Sequence, residues 1–264
     1  MYDWSVGRVD IANGYLAYHR TGGSKPALVL LHGLTDNGLC WTRVAKRLEA
    51  NFDVIMLDAR GHGESVRMGP GPDQDPALDL AQAIEQLRLD RPIIMGHSVG
   101  ARTTARYASL NPQEVSRVIL EDPPLMAPQG PAKKERWQVD FRKNIVDMQA
   151  MTGAQINALG QSRSPIWHED EFPAWTASKI QVDPDVRLHD PEPWQDYMAR
   201  IAAPTLLIYG ELGFGGIVTP EIAKAAQDLN PQIRSAQIAG AGHNTRRENL
   251  DAYMATVVAF LAEI

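Results

Sequence analysis

Residues 92–110, PIIMGHSVGARTTARYASL, change character halfway along. PIIM is a short apolar run of strand length, whereas ARTTARYASL sets apolar residues at the three- and four-residue spacing of a helix. Between them stands Gly96-His97-Ser98-Val99-Gly100. A strand that turns this sharply into a helix forces the residue at the turn into sparsely populated dihedrals. Glycines two before and two after it remove the side chains that would collide there. The stretch therefore predicts a Ser98 hydroxyl lifted above a sheet at a helix N-terminus. The plainer alternative is a serine that only caps the helix.

The same alternation continues in both directions. β-rich runs lie at 14–20 (GYLAYHR), 27–32 (ALVLLH), 52–58 (FDVIMLD), 116–122 (SRVILED), 204–210 (PTLLIYG) and 233–239 (IRSAQIA). Helical spacing occupies 42–50, 77–89, 220–229 and 248–264. Strand and helix exchanged this often imply an α/β fold, a mostly parallel sheet with helices on both faces. The apolar runs ALVLL and PIIM suit strands covered on both sides.

The alternation breaks once. Between Asp122 and about Ala203, roughly eighty residues pass without a buried strand, far more than an ordinary loop holds. This segment opens with PPLMAPQGP, continues with the helical KKERWQVDFRKNIVDMQAM, and carries four of the six tryptophans. We read 123–203 as a helical cap over the carboxyl ends of the strands, inserted into one core domain formed by 1–122 and 204–264. Trp137, Trp167 and Trp175 are candidate substrate contacts; alternatively they form the cap's own small core.

Composition narrows the function. The 264 residues, 44% of them hydrophobic, suffice for one large core. Net charge is −6 and the 26 lysines and arginines are scattered, so no basic stripe invites nucleic acid. The one cysteine, Cys40, excludes an internal disulfide framework. MYDWSVGRVDIANG has no basic segment leading into an apolar one, and no apolar run approaches the ~20 residues of a membrane span. A cytoplasmic protein without a membrane partner is expected, as a monomer or small homo-oligomer. The histidines show no H-x-x-x-H or H-E-x-x-H spacing, and GPGP at 69–72 precedes no G-K-[ST]. Neither a metal nor another cofactor is therefore expected, and GPGP reads as a turn-rich connection.

A serine hydroxyl is a poor nucleophile at neutral pH and needs a base. Of the seven histidines, His243 in AGAGHN fits best, because it follows the strand IRSAQIA and precedes the final helix. A loop at the carboxyl edge of the sheet would bring it to Ser98; an ordinary surface-loop histidine is the alternative. Negative charge developing on a substrate carbonyl needs fixed donors, which backbone N–H groups supply. The turn His32-Gly33-Leu34 after ALVLL offers the Leu34 N–H, opposite that of Val99. A strand-ending glycine turn without that role is the other reading.

LLHGLTDNGLCW, DARGHGES, GHSVG, VILEDPP, PTLLIYGE and GAGHN occur in an order and spacing that resemble the α/β-hydrolase superfamily, over nearly the whole chain except the cap. The resemblance implies an eight-stranded-type sheet and an acyl-enzyme mechanism. In it Ser98 is the nucleophile, His243 the base and then acid, and the Leu34 and Val99 amides the oxyanion hole. Many relatives place the orienting acid three residues after the glycine ending the seventh strand, a position that is Gly213 here. Some, including haloalkane dehalogenases and a lactone-hydrolysing branch, take it from the end of the sixth strand, which falls on Asp122. Asp122 is accordingly the expected acid, with Glu211 and Glu121 as alternatives. Dehalogenases and epoxide hydrolases need a carboxylate at the nucleophile position, which Ser98 cannot replace. The reading is a serine esterase or lactonase acting on a small apolar or aromatic molecule rather than a sugar or highly charged metabolite. Amide or C–C hydrolysis, hydroxynitrile lysis, cofactor-free perhydrolysis and a non-catalytic receptor are the alternatives.

Overall fold

The computed structural model describes residues 4–69, 74–127, 130–189 and 192–263. Most of GPGP and part of PPLMAPQGP lie outside the described residues. One eight-stranded sheet organises the chain: β1 (Ser5–Ile11), β2 (Gly14–Arg20), β3 (Ala27–Leu31), β4 (Asp53–Leu57), β5 (Ile93–His97), β6 (Arg117–Glu121), β7 (Thr205–Tyr209) and β8 (Ile233–Gln237). The strand order is β1-β2-β4-β3-β5-β6-β7-β8. β1 and β2 pair antiparallel, β2 joins β4 antiparallel, and every later neighbour is parallel.

The periodicities predict seven of these strands. β1, SVGRVDI, has no place among them because its burial alternates and only Val9 and Ile11 reach the core. It is held by a two-residue turn in which Asn13 takes φ 62°, so that Ile11 pairs with Gly14.

Helices cover both faces, as runs such as DVIML, buried at every position, require. On one face lie α1 (Thr42–Leu48) and α10 (Leu250–Leu261), packing Trp41, Val44, Leu48, Tyr253, Val257 and Phe260 on Leu28, Leu30, Val54 and Met56. On the other lie α2 (Pro76–Gln86), α3 (Val99–Leu110), α7 (Trp194–Arg200) and α8 (Pro220–Leu229). Between β6 and β7 the described residues hold helices and no strand: α4 (Pro131–Gln149), α5 (Gly153–Arg163), α6 (Phe172–Gln181) and α7. The last of these departs from the expectation for 123–203. α7 packs on α3 and α8, and its Trp194 and Met198 join the core beside the sheet, because one face of this short helix is apolar enough to be buried there. A four-residue helix, α9 (Thr245–Glu248), precedes α10. Among the described residues no helix is long and apolar enough to cross a membrane.

Candidate active site

Ser98 occupies the turn between β5 and α3 with φ 54° and ψ −121°, a conformation that costs a non-glycine residue about 1–3 kcal/mol. The flanking glycines are required by contact. A Cβ on Gly96 would stand 2.4 Å from Gly100 O, and one on Gly100 would stand 2.5 Å from both Leu31 O and His32 O. The turn is pinned by the Ser98 N–H donating to Glu121 O at 2.9 Å and the Arg102 N–H donating to Ser98 O at 3.1 Å.

The loop after β8 carries His243 to this hydroxyl. His243 Nε2 lies 3.1 Å from Ser98 Oγ, and His243 Nδ1 lies 2.7 Å from Asp122 Oδ2. Asp122 follows β6, is fully buried, and has a φ of 41°. Its backbone N–H is anchored on Ile208 O at 2.8 Å. The amides of Ile217 and Val218 donate to its two oxygens at 3.0 and 3.1 Å. Two backbone donors fix the Asp122 carboxylate in place, and a neutral His243 that donates Nδ1–H to it leaves Nε2 as an acceptor toward Ser98. The arrangement can take a proton from a hydroxyl and return it to a leaving group.

His97 braces the loop from the other side. Its Nε2–H donates to His243 O at 2.9 Å, and the two rings are 4.8 Å apart. Burial, together with the Arg246 charge and the His243 ring, holds His97 well below the usual imidazole range, so it stays neutral. Sequence reading sets His97 aside for its adjacency to Ser98; the signal for its role is long-range and lies in the loop it meets.

Gly33 brings the Leu34 turn against the nucleophile, since a Cβ there would stand 3.5 Å from Ser98 Cβ and 2.7 Å from His97 Nδ1. His62 Nε2 donates to Leu34 O, and His32 Nε2 accepts from the Ala59 N–H at 3.0 Å, fixing that turn to the loop after β4. Leu34 and Val99 line one cavity together.

The two other candidate acids stand elsewhere. Glu211 accepts from the Gly240 N–H at 2.7 Å, within the loops beyond β7 and β8. Glu121, fully buried, accepts from Thr245 Oγ1 at 2.8 Å, the Arg246 N–H at 3.0 Å and Arg246 Nη1 at 2.9 Å. It therefore clamps α9, two residues after His243, instead of touching the imidazole. Arg246 reaches on to Asp36 Oδ2 at 3.3 Å, which also receives Arg247 at 2.9 Å, while Lys179 of α6 donates to Asp36 Oδ1 at 3.1 Å. Glu171 meets Arg247 at 3.2 Å and closes a buried cluster of three acids and three bases.

Trp167 and Trp175, expected either as substrate contacts or as part of the cap's own core, pack on this cluster. Trp167 lies under Arg247 at 4.6 Å and Trp175 under Lys179 at 4.8 Å, and neither is among the described residues lining the two cavities that share Val99. Buried cations need both counter-charges and ring faces, and the indoles supply the latter. Trp137 does line a cavity.

Burial alone would raise the Asp36 pKa, but Arg247, Lys179 and Arg246 hold it well below the usual carboxylate range. Its contribution to stability is therefore complete above the ordinary carboxylate pKa of the unfolded chain and is lost as pH falls through the lower folded-state one. Asp36→Asn leaves buried cations uncompensated, a loss of about 3–5 kcal/mol that should lower Tm by roughly 10 °C in a calorimetric scan. An unchanged Tm would show the cluster to be dispensable.

Two cavities share Val99, the residue after Ser98, in their lining. An inner one of about 100 Å³ is lined by Leu16, Leu31, Leu34, Leu57, Leu80 and Val99 among others. An outer one of about 400 Å³ lies under α4, against Pro124, Met126, Trp137 and Gln138.

A family model described as the alpha/beta hydrolase fold matches residues 26–246. N-formylmaleamate deformylase of Pseudomonas putida is 31% identical over 264 aligned residues, covering 95% of this chain and 94% of that protein. The crystal structure of an N-formylmaleamic acid deformylase from Pseudomonas putida superposes with a TM-score of 0.74 at 25% identity, covering 96% of this chain and 100% of the other. A pimeloyl-[acyl-carrier protein] methyl ester esterase of Photobacterium profundum is 28% identical, covering 85% of this chain and 90% of that protein.

Proposed function

The chain belongs to the α/β hydrolase fold family and is a hydrolase, and from that premise we propose that it cleaves a carboxylic ester or amide of a small molecule through an acyl-enzyme on Ser98. The observation that carries this reading is the relay from Ser98 Oγ to His243 Nε2 at 3.1 Å and from His243 Nδ1 to Asp122 at 2.7 Å. Ser98 attacks the carbonyl carbon as His243 takes its proton, and the Leu34 and Val99 amides hold the oxyanion. Collapse breaks the bond to the leaving group, which leaves with the proton from His243. Water then repeats the sequence on the acyl-enzyme, releasing the acid and restoring Ser98.

Ester and lactone cleavage is what the motifs lead one to expect, and the esterase relative supports it. The deformylase, related over almost the whole chain, gives the amide equal standing. The test is fluorophosphonate labelling of Ser98 alongside turnover of p-nitrophenyl acetate through octanoate, a lactone and an N-formyl amide. Labelling that abolishes turnover supports the reading; turnover that survives complete labelling overturns it.

Chain length gives a second expectation. The inner cavity, at about 100 Å³, is smaller than the roughly 300–1,000 Å³ of drug-sized pockets. Each methylene that found a buried place would add about 0.8 kcal/mol of binding, so a roomy acyl pocket would favour octanoate. We expect kcat/KM to fall at least about tenfold from acetate to octanoate, the opposite slope. A rise along the series would assign the acyl chain to the outer cavity.

A further inference from the structure

Residues 33–36 form a hydrogen-bonded turn after β3, closed by the Asp36 N–H donating to Gly33 O at 3.0 Å. Gly33 O and the Leu34 N–H belong to one planar peptide unit, so whatever fixes that carbonyl also fixes the direction of the amide. His32 grips it from the strand side. Burial, then the neighbouring His62, lowers the His32 pKa to about 3, so the ring is neutral at pH 7. Its Nε2 accepts from the Ala59 N–H, which puts the ring proton on Nδ1, and that nitrogen donates to Gly33 O at 2.8 Å.

The other side of the turn is held from far along the chain. Lys179, on α6, is buried and directs Nζ to Thr35 O at 2.8 Å, Thr35 Oγ1 at 2.8 Å and Asp36 Oδ1 at 3.1 Å. Ser178 Oγ, on the same helix, is a further neighbour at 3.3 Å. An ammonium has three protons, and three acceptors are offered here by two consecutive residues of one turn. One residue further on, Asn37 Nδ2 donates to Gln181 Oε1 of α6 at 2.8 Å. A buried cation costs free energy unless it is paired, yet Asp36 already receives Arg246 and Arg247. Those arginines spend their other donors on Glu121, Glu171 and Asn244. What Lys179 adds to the cluster is the grip on Thr35, the residue after Leu34.

Resting on the acyl-enzyme reading of Ser98, we propose that Lys179 is a positioning residue for the oxyanion donor. It holds the 33–36 turn so that the Leu34 N–H faces the substrate oxygen as negative charge develops there. Such a donor is effective because it is already aimed, and the aim is set here by a helix inserted between β6 and β7.

Lys179→Met keeps the length of the side chain and removes its donors. In the folded variant, kcat on p-nitrophenyl acetate should fall about 10- to 100-fold, less than the roughly 10²- to 10³-fold lost when an oxyanion donor is removed outright. KM should stay within about threefold, because the interaction is made in the transition state. Trifluoroacetophenone, whose ketone forms a tetrahedral oxyanion on an active serine, should bind more weakly by about the same factor as kcat falls. Glu171→Gln is the control, since Glu171 meets Arg247 and Arg43 in the same cluster. It should lower Tm while leaving kcat and ketone affinity within about threefold of wild type. If Lys179→Met does not fold, Lys179→Gln, whose amide nitrogen stops one bond short of Nζ, is measured in its place with the same expectation. Unchanged kcat and ketone affinity in the folded Lys179 variant overturn the proposal. So does an equal loss of both in Glu171→Gln, which would make the cluster a matter of stability. Failure of wild-type Ser98 to label with a fluorophosphonate overturns the serine-hydrolase reading, and the proposal with it.

Discussion

Ser98→Ala is expected to lower kcat by about 10⁶-fold, the order found when the serine of a Ser-His-Asp set is removed, while leaving Tm within a degree or so. The substitution removes one oxygen and keeps the Cβ. The strained φ of 54°, the glycine contacts and the amide bond to Glu121 O therefore all remain. Among the described residues, Ser98 Oγ is the one hydroxyl within hydrogen-bond distance of His243 Nε2. Steady-state turnover on the best ester or amide, with a thermal scan on the same preparation, measures both expectations. Activity within tenfold of wild type in protein free of contaminating hydrolase would end the acyl-enzyme mechanism.

Asp122→Asn should cost about 10⁴-fold in kcat, as the loss of an orienting carboxylate does in protease triads. The reason here is geometric. Both Asp122 oxygens already accept backbone N–H groups, from Ile217 and Val218, and one of them accepts His243 Nδ1 as well. An asparagine must turn its NH₂ toward one of those donors. Turned toward His243, it stabilises the tautomer with Nε2 protonated, which cannot take the Ser98 proton. Glu211→Gln should change kcat by less than about threefold, because Glu211 is bonded to Gly240 in a neighbouring loop. Kinetics on the two variants side by side decide the matter. A larger loss for Glu211→Gln would move the acid to the loop after β7.

β3, β5, β6 and β7 were legible because they are buried on both faces and therefore rich in apolar residues, whereas β8, IRSAQ, is buried mainly at Ile233 and was read from its place in the strand–helix alternation. Ser98 and His243 were legible because strand-to-loop motifs mark them, and Asp122 because the count from the sixth strand falls on it. β1 was less so, since an edge strand with one inward face repeats its apolar residues only at Val9 and Ile11. The buried ion cluster left no mark on local periodicity. Asp36, Glu121, Glu171, Lys179, Arg246 and Arg247 come from five separated stretches, and each looks alone like ordinary surface charge.

Glu121 and Asp122 are consecutive in the chain and grip the same loop from two directions, one through α9 and the other through the imidazole. Glu121 closes β6 while Asp122 has left the strand with a φ of 41°, so their side chains diverge and the two carboxylates cannot trade tasks by a change of rotamer. Writing the pair in the reverse order would preserve length, composition, net charge, hydropathy profile and every neighbouring motif. It would nonetheless place the longer acid beneath the ring and the shorter one beneath the arginine. On the proposed mechanism the chemistry thus depends on the order of two adjacent letters to which any measure averaged over a window is blind.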